Sequence, residues 1–96
     1  MKTSDIGIPW YRREDYGEVL VVMEDAAHFP RSFETWLRRA KQTLKNLRRA
    51  GAVAYEVYID PKTFPGWCQQ RGLNVDARAR AEFAKTAGNA TTRDEH

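Results

Sequence analysis

The chain has 96 residues, 42% of them hydrophobic and 11% aromatic, which suits one domain with a small core and excludes a disordered chain. No run approaches the roughly 18 apolar residues that a membrane-spanning helix needs. The net charge is +3, a weak pointer to anionic partners, and the distribution says more than the total. From Arg31 to Arg49 there are seven basic residues and one acid, Glu34, whereas from Glu14 to Asp25 there are five acids and no base.

Residues 1–8 lack the basic and apolar regions of a secretory signal, and the single cysteine, Cys68, fits a reducing cytoplasm. The chain is therefore expected in the cytoplasm, without a membrane segment. Residues 1–11 carry Ile6, Ile8, Trp10 and Tyr11 beside Gly7 and Pro9. They read as an extended arm folded onto the core, with a short edge strand as an option, since Pro is tolerated at a sheet edge.

Residues 14–27 pull two ways. Val19, Val21 and Val22 are β-branched and favour a strand. Tyr16, Val19, Leu20, Met23, Ala26 and Ala27 share one arc at helical spacing, with Glu14, Asp15, Glu18 and Asp25 opposite. Acids in a first turn also suit a helix N-terminus. The expectation is a helix; a strand at 17–23 would instead make a βαβ unit with the next helix as its crossover.

Pro30 ends that segment, and Ser32 is a good N-cap for a helix over 32–50. Phe33, Trp36, Leu37, Ala40, Leu44 and Leu47 form its apolar stripe, and Gly51 at the C′ position stops it. Two helices joined by a short connector should lie antiparallel, which would set the acidic block beside the basic one.

Ala52 to Asp60 alternates as a strand, with Val53, Tyr55, Val57 and Ile59 on the face expected to be buried. A lone strand leaves its backbone groups unpaired. Its mate is the N-terminal arm, the 17–23 stretch, or the same strand of a second subunit; the last makes the chain a homodimer. Thr63 can cap a short helix over 63–71 with Pro65 in its first turn and Gly72 after it. Asn74 or Asp76 can cap a last helix over 76–87 that Gly88 ends, leaving 89–96 as a polar, disordered tail. The fold class is α+β: a mostly helical single domain, 1–88, with a helical hairpin, one strand and two short helices. The expected core is Tyr16, Leu20, Met23, Phe33, Trp36, Leu37, Leu44, Leu47, Val53, Tyr55, Val57, Ile59, Phe64, Trp67, Leu73 and Phe83.

Arg38, Lys41, Lys45 and Arg48 recur at spacings of 3, 4 and 3, so they share one flank of the long helix, with Arg49 close by. Such a stripe can neutralise several phosphates, making nucleic acid a candidate partner. A solvated face partly neutralised by the acidic block is the plainer alternative. No aromatic residue interleaves the stripe, which weakens a single-strand reading. Cys68, beside Trp67, lacks a nearby histidine to activate it and reads as a small buried hydrophobe. His28 has no second ligand at metal spacing, and Glu24 and Asp25 diverge as neighbours on a helix, so neither a metal nor an acid/base pair is indicated. No cofactor or catalytic residue is expected. The leading reading is a non-enzymatic protein-interaction module acting as a homodimer that pairs strand 52–60, with nucleic-acid binding as the alternative.

The strand-helix-helix order of residues 52–87 resembles that of ribbon-helix-helix DNA-binding dimers, whose paired strands enter the major groove. The outward residues here would be Ala54, Glu56 and Tyr58, and a Glu facing phosphates is unfavourable. Separately, Arg13-Glu14-Asp15-Tyr16, Phe33-x-x-Trp36-Leu37, Ile59-Asp60-Pro61, Phe64-x-x-Trp67-Cys68, Arg71-Gly72-Leu73, Asp76-Ala77 and Phe83-Ala84 resemble a small bacterial family of unknown function. That resemblance implies a helix at 14–27 and no activity.

Overall fold

The computed structural model describes residues 5–94, with side chains through residue 86. It is an α+β domain in which the central strand finds its mate within the chain. β1, Asp5–Trp10, pairs in parallel with β2, Val53–Tyr58, placing Asp5 opposite Val53 and Trp10 opposite Tyr58. Of the three candidate mates the N-terminal arm is the one found, so the single strand expected is corrected to a two-stranded sheet, with the other edge of β2 unpaired among the described residues. The structure departs from the ribbon-helix-helix order in the same way: β2 is preceded by a strand of its own chain, which takes one of its two edges.

The ladder orientation follows from one bond. The Ile59 N–H donates to the Trp10 carbonyl at 3.0 Å. Because alternate residues of a parallel strand face the same neighbour, Ile6, Ile8 and Trp10 bond toward β2, and Asp5, Gly7 and Pro9 face away. Pro9 therefore costs the sheet no hydrogen bond. By the same alternation Val53, Tyr55 and Val57 face β1, and the backbone groups of Ala54, Glu56 and Tyr58 point to the free edge.

Helices cover both faces of this sheet. α2, Phe33–Arg49, lies on the face of Ile8, Trp10 and Ala54, where Leu44 closes the contact. Ser32 caps it by accepting from the Thr35 N–H at 3.1 Å. At the other end Gly51 takes φ 98°, the Gly51 N–H donates to Arg48 and the Ala52 N–H to Leu47. That left-handed residue returns the chain into β2, as the C′ glycine predicts.

α4, Ala77–Asp94, lies on the other face. Asp76 caps it, its side chain accepting from the Ala79 N–H at 3.2 Å. The approach is close enough that a Cβ on Gly7 would sit 2.9 Å from the Ala84 carbonyl oxygen and 2.9 Å from Val57 Cγ2. The helix does not stop at Gly88 but continues to Asp94, where an unstructured tail over 89–96 was expected. An interior Gly costs only about 1 kcal/mol relative to Ala, and no Pro follows to enforce a stop. Residues 95 and 96, like 1–4 of the arm, lie outside the described residues.

The helix expected over 14–27 is shorter. A 3-10 turn over Arg13–Asp15 leads into α1, Tyr16–Val22, and Met23 is already extended. The end is set by tertiary contacts. The Glu24 N–H donates to the Val75 carbonyl at 2.7 Å, and the Val75 N–H donates to the Glu24 carboxylate at 3.1 Å. Val21, which falls off the apolar arc, is 79% exposed. α3, Phe64–Gln70, ends at Gly72 with φ 68°. Its expected Thr63 side-chain cap is absent; Asp60 holds the entry instead, accepting from the Lys62 N–H at 2.9 Å.

Burial along β2 departs from simple alternation. Val57 and Ile59 are buried and Tyr55 is half-buried, but Val53 is 50% exposed and Ala54 is buried. With a helix on each face, a strand buries whichever side chain a helix overlies. α2 covers Ala54. The main core joins Tyr11, Tyr16, Val19, Met23, Ile59, Phe64, Cys68 and Ala79, and Trp36 links it to the Trp10–Leu44–Ala54 cluster.

Candidate functional site

Three ion pairs join the described residues, and none joins the acidic block to the basic stripe. Glu18 meets Lys62 at 3.8 Å, Asp25 meets Arg80 at 2.8 Å, and Glu34 pairs with Arg13 rather than with Arg38. The antiparallel hairpin that was to neutralise α2 is therefore not formed, since α1 spans only seven residues before the chain turns toward Val75.

Arg38, Lys41, Lys45, Arg48 and Arg49 are all exposed along α2. From Arg38 to Arg49 the helix rises about 16 Å at 1.5 Å per residue. None of these five cations forms an ion pair among the described residues. Arg48 is committed to the fold: its Nε and Nη2 donate to the Ala54 carbonyl at 3.0 and 2.8 Å. That carbonyl points to the free edge of β2, so Arg48 blunts the edge and fixes the stripe beside it. Sequence spacing placed the five residues on one flank but not this division of labour.

A second feature has no counterpart in the sequence reading. Tyr11, Phe29, Trp36 and His28 border an open, shallow depression of about 280 Å³, flanked on its charged side by Asp25 and Arg80. The Arg80 Nη1 and Nη2 donate to the two Asp25 oxygens at 2.9 and 2.8 Å, and the guanidinium lies 4.8 Å from the centre of the Phe29 ring. Hydrogen bonding from Arg80 holds the Asp25 carboxyl below its ordinary value, against some opposing burial. Arg80 also borders a larger cavity of about 520 Å³ between β1 and α4, lined by Gly7, Tyr55, Ala81 and Lys85.

Two tyrosines lie in this region and differ in one respect. Tyr16 donates its hydroxyl hydrogen to the Pro30 carbonyl. Tyr11 is only 3% exposed, packs at a tilt against Trp36 with ring centres 5.0 Å apart, and bonds its hydroxyl to no described residue. Burial pushes the Tyr11 hydroxyl well above the usual tyrosine range; Arg80 opposes this, while Asp25 and Tyr16 add to it. It is a neutral donor at any physiological pH.

Cys68 is fully buried, and burial raises its thiol pKa, the opposite of what activates a nucleophile. Among the described residues no group of three His, Cys, Asp or Glu side chains is placed to hold a metal ion, and no helix is long and apolar enough to cross a membrane. No protein-family model matches the chain, and no curated protein or solved structure is significantly similar to it.

Proposed function

We propose that the chain is a non-enzymatic, nucleic-acid-binding accessory protein that lays the α2 flank of Arg38, Lys41, Lys45 and Arg49 along a phosphate backbone. One observation carries this reading: these cations are exposed and free of ion pairs among the described residues, while Glu18, Asp25 and Glu34 pair with Lys62, Arg80 and Arg13 instead. A ridge of several cations over three helical turns releases counterions from consecutive phosphates and recognises charge rather than sequence. The helix is held rigidly, capped at both ends and packed on the sheet through Leu44. The lone buried thiol of Cys68 suits a reducing cytoplasm.

The experiment is amide chemical-shift mapping with a mixed-sequence DNA duplex at low salt. Shifts concentrated on residues 38–49 support the reading. Shifts spread over the acidic segment 14–25, or none, overturn it.

A second reading is a homodimer that adds strands at the free edge of β2. It is favoured by Val53 and Tyr58, which are 50% and 51% exposed, and by the outward backbone groups of Glu56 and Tyr58. Arg48 leaves only that short stretch of the edge open. A sedimentation mass of two chains at tens of micromolar, reduced to one by Glu56→Pro, supports this assembly; a mass of one chain in the parent removes it.

A further inference from the structure

A hydroxyl inside a core has a use or a cost. Phe would supply the packing of Tyr11 against Trp36 and Phe29 without a polar atom to satisfy. Among the described residues no fully enclosed side-chain oxygen or nitrogen lacks a partner, so the Tyr11 hydroxyl, which bonds to none of them, keeps some accessible surface, and Tyr11 borders this open depression. Around the same opening, Asp25 keeps lone pairs not used by Arg80, and His28 stands exposed at the rim. The walls are the rings of Tyr11, Phe29 and Trp36, with the mutually neutralised Asp25–Arg80 pair at one side.

We propose that the depression of Tyr11, His28, Phe29 and Trp36 is a binding site for a small, neutral, planar heterocycle that accepts a hydrogen bond from Tyr11 and donates one to Asp25. The size argues for a single ring system, since about 280 Å³ lies at the small end of ligand pockets. The charges argue for neutrality: the guanidinium of Arg80 repels a cation, and the Asp25 carboxylate repels an anion. The rings argue for planarity, because Phe29 and Trp36, tilted 46° and 51° from Tyr11, are half-buried and a flat ring can lie on the open face of one of them. The high pKa of Tyr11 keeps it a donor throughout the working pH range. The site is independent of the α2 basic flank, since Trp36 and Lys45 are nine residues apart, half a revolution around the helix at 100° per residue.

The test uses the full chain labelled with nitrogen-15, titrated separately with adenine, cytosine and nicotinamide, and with indole as a ring of similar size lacking an acceptor. The expected result is a saturable shift of the Trp36 indole and His28 signals with at least one heterocycle, at a Kd below about 1 mM. Tyr11→Phe should weaken that binding about tenfold. The variant removes an atom the fold does not use, so a thermal midpoint no lower than the parent's shows that it remains folded. No saturable shift with any of the three heterocycles overturns the site. So does equal affinity in Tyr11→Phe, or indole binding as tightly as the best heterocycle.

Discussion

Tyr11 and Tyr16 separate the structural from the functional use of one residue type. The Tyr16 hydroxyl is spent on the Pro30 carbonyl and helps hold the connector before α2. Tyr16→Phe should therefore cost about 1 kcal/mol in urea unfolding, whereas Tyr11→Phe should stay within about 0.5 kcal/mol of the parent. Sequence inspection cannot tell the two apart, because the difference is a missing partner rather than a residue type. Asp25 belongs to the same scale. Its folded pKa lies below the ordinary value of 3.8, so it contributes stability that is present above that value and lost as pH falls through the folded one. Asp25→Asn should cost about 2 kcal/mol at pH 7 by leaving Arg80 without its carboxylate, and should flatten the acid limb of a stability-versus-pH curve.

Among the elements, those that announce themselves carry their own punctuation. Ser32 and Gly51 bracket α2, Gly72 follows α3, and Asp76 opens α4; each acts through bonds among residues only a few positions apart. β1 is legible only as an option within the arm, because Gly7 and Pro9 stand inside its six residues. Both exceptions are tertiary in origin. Pro9 faces away from β2, and Gly7 lets the backbone of α4 approach at Ala84. Gly7→Ala should accordingly destabilise the domain by about 1–3 kcal/mol in denaturant melts, since the added methyl meets a backbone carbonyl that cannot swing aside. The end of α1 was illegible for a similar reason. No Gly or Pro stands at Val22 or Met23, and the bonds that end the helix come from Val75, more than fifty positions downstream.

For the whole molecule, the fold class and the basic flank were legible, and the disposition of charge between elements was not. Spacing alone put Arg38, Lys41, Lys45, Arg48 and Arg49 on one side of a helix. Which of them would be free depended on where α1 ended and on the edge of β2, both fixed by contacts remote in sequence. The result is a sheet held between α2 and α4, with Arg48 tied to the sheet and its four basic neighbours facing solvent. The most direct test is the salt dependence of duplex DNA binding, measured by fluorescence anisotropy for the parent and for the Arg38→Ala/Lys41→Ala/Lys45→Ala variant, which leaves the Arg48 contact intact. The phosphate-ridge account predicts that log K falls linearly with log salt in the parent, with the slope reduced by about 3 in the variant. Equal slopes in the two proteins, or no binding by the parent at about 50 mM salt, would contradict it.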